Sequence, residues 1–312
     1  MNTVPDVINK ITKKKRAQDP FVKWLLYKDH TMGSLVSECG SWLKLREFLN
    51  HDTVRVRKAN FCKKHTICQW CAYRRGMRLG VSYVEKAQTV MLQNPKLIPI
   101  HITLTIKNTE FGKEGLQTVK DSFARMLAAA RKAKNNPDKN LPIEWNKVLG
   151  GVKSVESTNK GNGWHAHLHI FALVDAYIDR ELLSEEWERF NGGKGTIVYV
   201  SKIYAKNGAS ADDKTTALAS AMLEVLKYPT KFDELPHELR YQFFKDTKGF
   251  RITDPFGLMR GIPPLPDFNE DDMSDLDGPY RDYMAFWRHH TMRYDVKTLS
   301  VVDPSEDLDT PV

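Results

Sequence analysis

Three histidines recur at every second position of the segment NGWHAHLHIFALV, residues 162–174, in a chain of 312 residues with 10 histidines. They are His165, His167 and His169. The apolar residues between and after them are typical of a buried strand, and successive side chains on a strand alternate between its two faces. The three imidazoles therefore share one face, where neutral ring nitrogens suit a divalent metal such as manganese or zinc. This spacing predicts a metal site.

A carboxylate on the preceding segment is expected to complete this site. Glu156 lies in GGVKSVEST, which the Gly-rich sequence NKGNG connects to the histidine segment, and the pattern predicts a β-hairpin. We predict that His167, His169 and Glu156 bind one divalent cation. His165 is either a further ligand or a residue at the mouth of the strand, and His101, at the start of another predicted strand, is a weaker candidate.

The cysteines form a second candidate metal site. Cys62, Cys68 and Cys71 lie close together in the sequence, and Cys39 lies upstream. Four thiolates suffice for a closed tetrahedral zinc site, and the C-x2-C pair is typical of structural zinc. His65 lies inside the loop and could replace one cysteine. The alternatives are four buried cysteines without a metal, or a redox pair; disulfides are not expected in an intracellular chain.

The charge of the chain favours a polyanionic partner. The formal net charge is +8, and residues 54–78 contain Lys and Arg but no acid. Nucleic acid is the first partner to expect, with the zinc segment turning its basic surface toward phosphates. No apolar run approaches the roughly 20 residues of a membrane helix, and the N-terminus lacks the apolar segment of a secretory signal. A cytoplasmic protein with no membrane partner is predicted.

Hydrophobic periodicity predicts the elements that would position these residues. Helices are predicted at 71–93, 115–134, 179–190 and 214–228, and strands at 97–106, 150–158, 164–174 and 195–203. Their order indicates an α+β domain built around an antiparallel hairpin. Three regions are predicted: a basic N-terminal region 1–95 with its zinc segment at 39–71, a domain at 96–260, and an acidic linker with a C-terminal helix at 261–312.

One further group of residues lies near the end of the last predicted helix, in MLEVLKYPTK. Glu224 and Tyr228 are four residues apart and therefore neighbours on one helix face. Lys231 follows three residues later. Pro229 disfavours helical geometry at Tyr228, so the helix is expected to kink or end there. Taken alone, the pattern equally suits a tyrosine at the edge of the core beside solvated charges.

Three of these segments, in this order, resemble the three motifs of plasmid rolling-circle replication initiators: HITLTIKN, VKSVESTNKGNGWHAHLHIFALV and EVLKYPTK. Those initiators belong to the HUH endonuclease superfamily, named for a His-hydrophobic-His pair. Upstream, ECGSWLKLREF and ANFCKKHTICQWCAYRR resemble the cysteine-rich segment that precedes the nuclease domain in one branch with a single catalytic tyrosine. The resemblance spans roughly residues 38–235. It implies an HUH-type nuclease domain, with a central antiparallel sheet flanked by helices, after a small basic zinc-binding segment.

The resemblance also implies a reaction, which is sequence-specific nicking and strand transfer at a plus-strand origin. Tyr228 would attack a phosphodiester, leaving a 5′-phosphotyrosyl bond and a 3′-hydroxyl primer. Mn²⁺ or Mg²⁺ at the histidine site would polarise the phosphate. Lys231 would offset charge on the phosphate or favour ionised Tyr228, and Glu224 would activate water to end the cycle.

The implied partners are single-stranded or cruciform plasmid origin DNA, a host DNA polymerase and a host helicase, because the sequence has no Walker-type phosphate loop. A homodimer is an open option. Three alternatives remain at this stage: a relaxase or transposase of the same superfamily, a non-catalytic zinc-dependent DNA-binding regulator with structural histidines, and a hydrolytic metalloenzyme acting on a small substrate.

Overall fold

A computed structural model describes residues 3–136, 143–195, 197–203, 211–226, 235–262, 273 and 275–303. The chain divides into two compact units, one comprising Met1–Arg75 and Pro264–Val312 and the other Gly76–Pro263. The C-terminal residues thus group with the N-terminal ones, whereas the sequence analysis sets boundaries at residues 95 and 260. Within the described ranges, no helix combines the length and the apolar character needed to span a membrane.

The described elements are as follows. The helices are α1 (Val4–Lys28), α2 (His30–Ser37), α3 (Gln69–Gln93), α4 (Gly112–Asn135), α5 (Arg180–Asn191), α6 (Ala211–Val225) and α7 (His237–Asp246). The strands are β1 (Trp42–Phe48), β2 (Thr53–Ala59), β3 (Ile98–Thr105), β4 (Val148–Asn159), β5 (Trp164–Val174), β6 (Val198–Lys202), β7 (Thr253–Gly257), β8 (Tyr280–Arg288) and β9 (Arg293–Val302).

The first unit contains an antiparallel sheet of order β2-β1-β8-β9. In β1, the alternation of WLKLREF places Leu43 and Leu45 on a buried face and the residues between them on the other. Leu43 pairs with Ala285 of β8, and Ala285 and Trp287 are buried in the same alternating pattern. One face of the sheet is therefore apolar, and the opposite face carries charged side chains.

The predicted C-terminal helix is wrong, because residues 280–302 form β8 and β9. The segment has aromatic residues spaced in a way that suits an amphipathic helix as well as a strand. Pairing with β1, far away in the sequence, selects the extended form, since it buries Ala285 and Trp287 on the apolar face of the sheet. Local periodicity does not contain this information.

The second unit contains an antiparallel sheet of order β6-β3-β5-β4-β7. The α+β class and the predicted β4–β5 hairpin are confirmed. The helices and strands predicted around the histidines are present as α3 to α6 and β3 to β6, with ends shifted by a few residues. The end of the helix predicted at 214–228 lies outside the described residues. The sequence analysis did not predict α1, α2, α7, β1, β2 or β7.

The two faces of this sheet are buried by different helices. On one face, Leu168 and Ile170 of β5 pack with Phe123 of α4 and Trp187 of α5. On the other face, Phe171 belongs to a cluster formed with residues of α3 and α6. Because side chains alternate along β5, the histidines at 165, 167 and 169 share the face of Phe171.

Two local features define the end of the sheet that carries the histidines. Gly163, in the β4–β5 turn, has φ +95°, and a Cβ atom there would lie 2.8 Å from the carbonyl oxygen of Thr109. Only glycine fits this tight turn. At the end of β3, the buried indole of Trp187 donates its N–H to the carbonyl oxygen of Thr105 at 2.6 Å. Thr105 pairs with His167, so this bond helps to fix the strand beside the histidines.

Candidate metal centres

The predicted histidine site is brought together by the register of the hairpin. Glu156 of β4 pairs directly with His167 of β5. The Oε2 atom of Glu156 lies 2.7 Å from Nε2 of His169 and 3.4 Å from Nε2 of His167. These three residues can each offer one ligand atom, and the atoms lie within 4.8 Å of one another. Their side chains are only 12–16 % exposed, so the group is screened from water but still reachable.

The electrostatics of this group favour cation binding. Burial by itself would raise the pKa of Glu156, but hydrogen bonds and charge interactions with His167 and His169 bring that pKa well below its usual range. The carboxylate is therefore ionised, which is the form that binds a metal. Two imidazoles and a carboxylate on one sheet face, mostly shielded from water, can hold a divalent cation.

Neighbouring side chains hold the imidazoles in position. The Oγ1 atom of Thr103 lies 3.3 Å from Nδ1 of His169, the ring nitrogen that faces away from Glu156. Metal-binding histidines are commonly oriented by such a bond at their second nitrogen. His101 stacks on His169, with ring centroids 5.6 Å apart and an interplanar angle of 8°. Thr103 and His101 thus contact the site without belonging to the group that can bind the metal.

His165 also lies beside this group but is not part of it. Its ring meets that of His167 edge-on, with centroids 5.2 Å apart. Burial, the nearby His167 and Lys160 lower the pKa of His165, which favours its neutral form. Its main-chain partner on β4 is Thr158, two pairs beyond the Glu156–His167 pair toward the turn. This position corresponds to the mouth of the strand. A residue at the mouth of the strand was one of the two predicted alternatives for His165, the other being a further metal ligand.

The third predicted group is only partly described. Glu224 lies exposed on α6, whose residue Met222 packs in the same apolar cluster as Phe171 of β5. This helix therefore covers the sheet face that carries the histidines. Tyr228 and Lys231 lie outside the described residues.

The four cysteines converge in the first unit. The Sγ atom of Cys39 lies 3.5 Å from that of Cys71 and 3.6 Å from that of Cys68, and the Sγ atoms of Cys62 and Cys71 are 3.6 Å apart. These separations exceed a disulfide bond. They are close to the sulfur spacing of about 3.8 Å that follows from a tetrahedron with Zn–S bonds of about 2.3 Å. The four residues can hold a metal ion, and His65 is not among them.

The protonation of these thiols also fits a metal. Hydrogen bonds within the cluster, first of all with Cys62, together with burial raise the pKa of Cys39, while hydrogen bonds from Cys39, Cys62 and Cys71 lower that of Cys68. Four crowded thiolates would repel one another, and a divalent cation removes that repulsion. His65 is held neutral at pH 7, because burial and the nearby Arg75 lower its pKa to about 4.

The surroundings of the cysteines include residues that the sequence analysis did not identify. The backbone N–H of Cys62 donates to Sγ of Cys39 at 3.4 Å. Gly40, which follows Cys39 in the sequence, has φ +64°, and a Cβ atom there would lie 2.1 Å from the ring of Trp70. Lys15 of α1 donates to the carbonyl oxygen of Cys39 at 2.7 Å. These contacts fix Cys39, the member of the group most distant in sequence.

Comparison with known proteins identifies the class. Residues 53–298, which span both candidate metal centres except Cys39, match the Rep_1 family model, described as "Replication protein". The chain belongs to this family of replication proteins. No solved structure matches it.

Individual relatives carry similar names. The chain is 28% identical over 213 residues to "Protein rep" of Streptococcus pneumoniae serotype 2, with 64% of this chain and 60% of the relative covered. It is 23% identical over 210 residues to "Protein rep" of Lactiplantibacillus plantarum, covering 63% and 60%. A "Replication protein" of Staphylococcus aureus is 25% identical over 169 residues, covering 50% and 65%. The chain thus spans about 60% of the length of the first two relatives.

Proposed function

We propose that this replication protein is a plasmid rolling-circle initiator of the HUH endonuclease superfamily, which nicks and transfers one DNA strand at the plus-strand origin. The observation that carries the proposal is the pairing of Glu156 with His167, next to His169, on the sheet face covered by α6. In a family of replication proteins, a shielded site of this composition is suited to phosphodiester chemistry.

In this proposal, Tyr228 supplies the nucleophile. Its phenolic oxygen attacks the scissile phosphorus, a bond forms between the two, and the bond to the 3′ oxygen breaks. The products are a 5′-phosphotyrosyl linkage and a free 3′-hydroxyl that a host polymerase extends. An unperturbed tyrosine has a pKa near 10, so Lys231 assists by favouring the ionised phenol or by offsetting the charge of the phosphate.

The histidine site would act on the reacting phosphate through a bound cation. His167, His169 and Glu156 would hold Mn²⁺ or Mg²⁺, which polarises the phosphate oxygens and stabilises the charge that builds up in the transition state. Thr103 keeps the ring of His169 in the orientation in which Nε2 faces the carboxylate of Glu156. The low exposure of the three ligands limits competition from water.

Glu224 has a separate role in this proposal. It lies four residues before Tyr228 in the sequence. Its carboxylate activates a water molecule that cleaves the regenerated origin junction, so that the cycle ends without a second lasting covalent bond.

The cysteine group binds zinc and does no chemistry. Four protein ligands leave no open position for a substrate, which is the property of structural zinc sites. The substrate is single-stranded or cruciform origin DNA. A host helicase and a host polymerase complete the replication cycle, and a second copy of the chain is a further candidate partner.

The test is formation of a covalent adduct on an oligonucleotide that carries the replicon's own plus-strand origin, with Mn²⁺ present. With a label at the 3′ end of the oligonucleotide, we expect a labelled protein band that survives SDS. With a label at the 5′ end, we expect a shorter free fragment instead. Tyr228→Phe should abolish both products, whereas Tyr27→Phe, a change at an exposed tyrosine of α1, should retain them. DNA binding without any adduct on the origin would contradict the proposal and support a regulator.

A further inference from the structure

The charged face of the sheet in the first unit is dense in cations. Lys44 and Arg46 of β1 and Arg57 of β2 all contact one carboxylate, that of Asp282 on β8. The Nε atom of Arg46 and an Nη atom of Arg57 each lie 2.8 Å from an oxygen of Asp282, and Nζ of Lys44 lies 3.5 Å away. Three cations thus share one anion, and the face keeps an excess of positive charge. We call this surface, together with Arg55, the basic sheet face.

The adjacent strands continue the same surface. Arg288 of β8 pairs with Arg293 of β9, and Met284 pairs with Lys297. The carboxylate of Asp295 on β9 lies 2.9 Å from the guanidinium of Arg288 and offsets part of this positive charge. The side chains of Arg57 and Arg288 are 43 % and 47 % exposed, so their charges reach solvent.

Arg55 shows what kind of ligand this surface accepts. Its two terminal nitrogens donate to the two carboxylate oxygens of Asp275, each at 2.7 Å. This parallel two-bond geometry is the one that arginine uses for phosphate as well as for carboxylate. Asp275 belongs to the acidic sequence EDDMSDLD at 270–277, and Asp277 contacts His51 at 3.0 Å. The carboxylate of Asp275 therefore occupies a position that suits a phosphate group.

The basic sheet face offers more cations than stacking surface. Proteins that bind single strands present a series of open aromatic rings on which successive bases stack. On this face the guanidinium of Arg46 lies 3.4 Å from the ring centroid of Tyr280 and covers it, while Phe286 is 37 % exposed. A partly exposed phenylalanine among several arginines and lysines favours the phosphate backbone of a duplex over a run of unpaired bases.

We propose that the basic sheet face binds the phosphate backbone of double-stranded DNA next to the nicking site, and that Asp275 competes with a phosphate for Arg55. Only the choice of DNA as the partner rests on the proposed function. The surface belongs to the first unit and the histidine site to the second, so one protein would hold the duplex with one unit and cleave the exposed strand with the other. Because a phosphate must displace Asp275 from Arg55, duplex binding is weaker than the cation density alone would give.

The test is fluorescence anisotropy with a fluorescein-labelled 30-base-pair duplex of arbitrary sequence and with the matching single strand, between 50 and 200 mM salt. Arg55→Gln/Arg57→Gln should weaken duplex binding on the order of tenfold and reduce the salt slope by about two. Arg180→Gln/Arg189→Gln removes the same charge from the exposed side of α5 and should have little effect. Zinc content and circular dichroism would check that each variant is folded.

Asp275→Asn changes the other partner of the Arg55–Asp275 pair. Its expected effect is tighter binding, which a folding defect would not produce. It should tighten duplex binding several-fold and steepen the salt slope by about one, since Arg55 becomes available to a phosphate. Glu188→Gln, with the same change in charge on α5, should not. Unchanged duplex binding in both Arg55→Gln/Arg57→Gln and Asp275→Asn, or an equal loss on the single strand, would overturn the proposal. Tyr228 takes no part in this measurement. A failure of the protein to nick DNA would therefore contradict the proposed function but leave the proposal of duplex binding intact.

Discussion

Gln18 of α1 donates its side-chain amide to Sγ of Cys68 at 3.8 Å, although the two residues are fifty positions apart. The carbonyl oxygen of the same side chain accepts the backbone N–H of Gln69, the first residue of α3, at 2.8 Å. One glutamine thus connects the N-terminal helix to the cysteine group. A metal bound there stabilises α1 as well as the cysteine loop, because both are held through the same thiolate.

Loss of one cysteine should therefore release zinc and destabilise the first unit. For Cys68→Ser we expect less than one zinc per chain by mass spectrometry, and a free energy of unfolding lower by about 3 kcal/mol or more. His65→Ala is the matched control, since His65 lies in the same loop but outside the group, and it should keep its zinc. Full zinc occupancy in Cys68→Ser would disprove the assignment.

Removal of the carboxylate at the histidine site should weaken binding of the catalytic cation. Glu156→Gln keeps the shape of the side chain but removes the negative charge, so we expect Mn²⁺ affinity, measured by calorimetry, to fall at least tenfold. Adduct formation should fall with it, while duplex binding should not change. His165→Gln should retain most of the Mn²⁺ affinity, because His165 is outside the group. Equal losses in both variants would mean that the site has a different ligand set.

Glu224→Ala should separate the two halves of the reaction. In the proposed mechanism, initial nicking depends on Tyr228 and the cation site, so the rate of adduct formation should stay within about twofold of the unmodified protein. Release of closed circular product from a plasmid carrying two origins should fall by about tenfold or more, because no carboxylate activates the terminating water. Glu185→Gln, an exposed change on α5, serves as the control. Parallel loss of nicking and termination would refute this division of roles.

Asp282→Asn should destabilise the first unit in a way that depends on pH. Burial by itself would raise the pKa of Asp282, but the hydrogen bond from Arg46 and the charges of Arg46, Arg57 and Lys44 bring it below its usual value of 3.8. The stabilisation is therefore complete above about pH 4 and is lost as the pH falls through the lowered pKa.

The measurement is urea unfolding of the variant and the unmodified protein at pH 7, 5 and 3.5. We expect a difference of about 2 kcal/mol at pH 7 and pH 5, because the charged hydrogen bonds lose their acceptor. The difference should be smaller at pH 3.5. Asp295→Asn, which alters an exposed ion pair, should cost less than about 0.5 kcal/mol at each pH. A difference that grows toward low pH would contradict the assigned shift.

The unit that carries the histidine site was largely predictable because its signals are local. The period-two histidines and the glycines of the hairpin lie within a few residues of one another, and the register that pairs Glu156 with His167 follows from the length of the turn. The cysteines were also identifiable, because few residue types bind zinc. Thr103 was not assigned its contact with His169, since a threonine in a strand is ordinary and only the neighbouring strand gives it a role.

The first unit was less predictable because its contacts are remote in sequence. Arg46 meets Asp282 across 236 positions, and Gln18 is one of many polar residues on a helix. Residues 280–302 carry an apolar pattern that suits a helix or a strand, and pairing with β1 decides between them. Periodicity reports which faces are apolar but does not report which distant segment covers them.

The order of strands in the first unit has a consequence for synthesis on the ribosome. β1 lies between β2 and β8, and β8 is translated only after all of residues 76–263. During translation, one edge of β1 therefore stays without its neighbour while the entire second unit emerges and folds. Such an open edge can recruit foreign strands, so a nascent chain that stalls before residue 280 exposes an aggregation-prone intermediate and a finished chain does not.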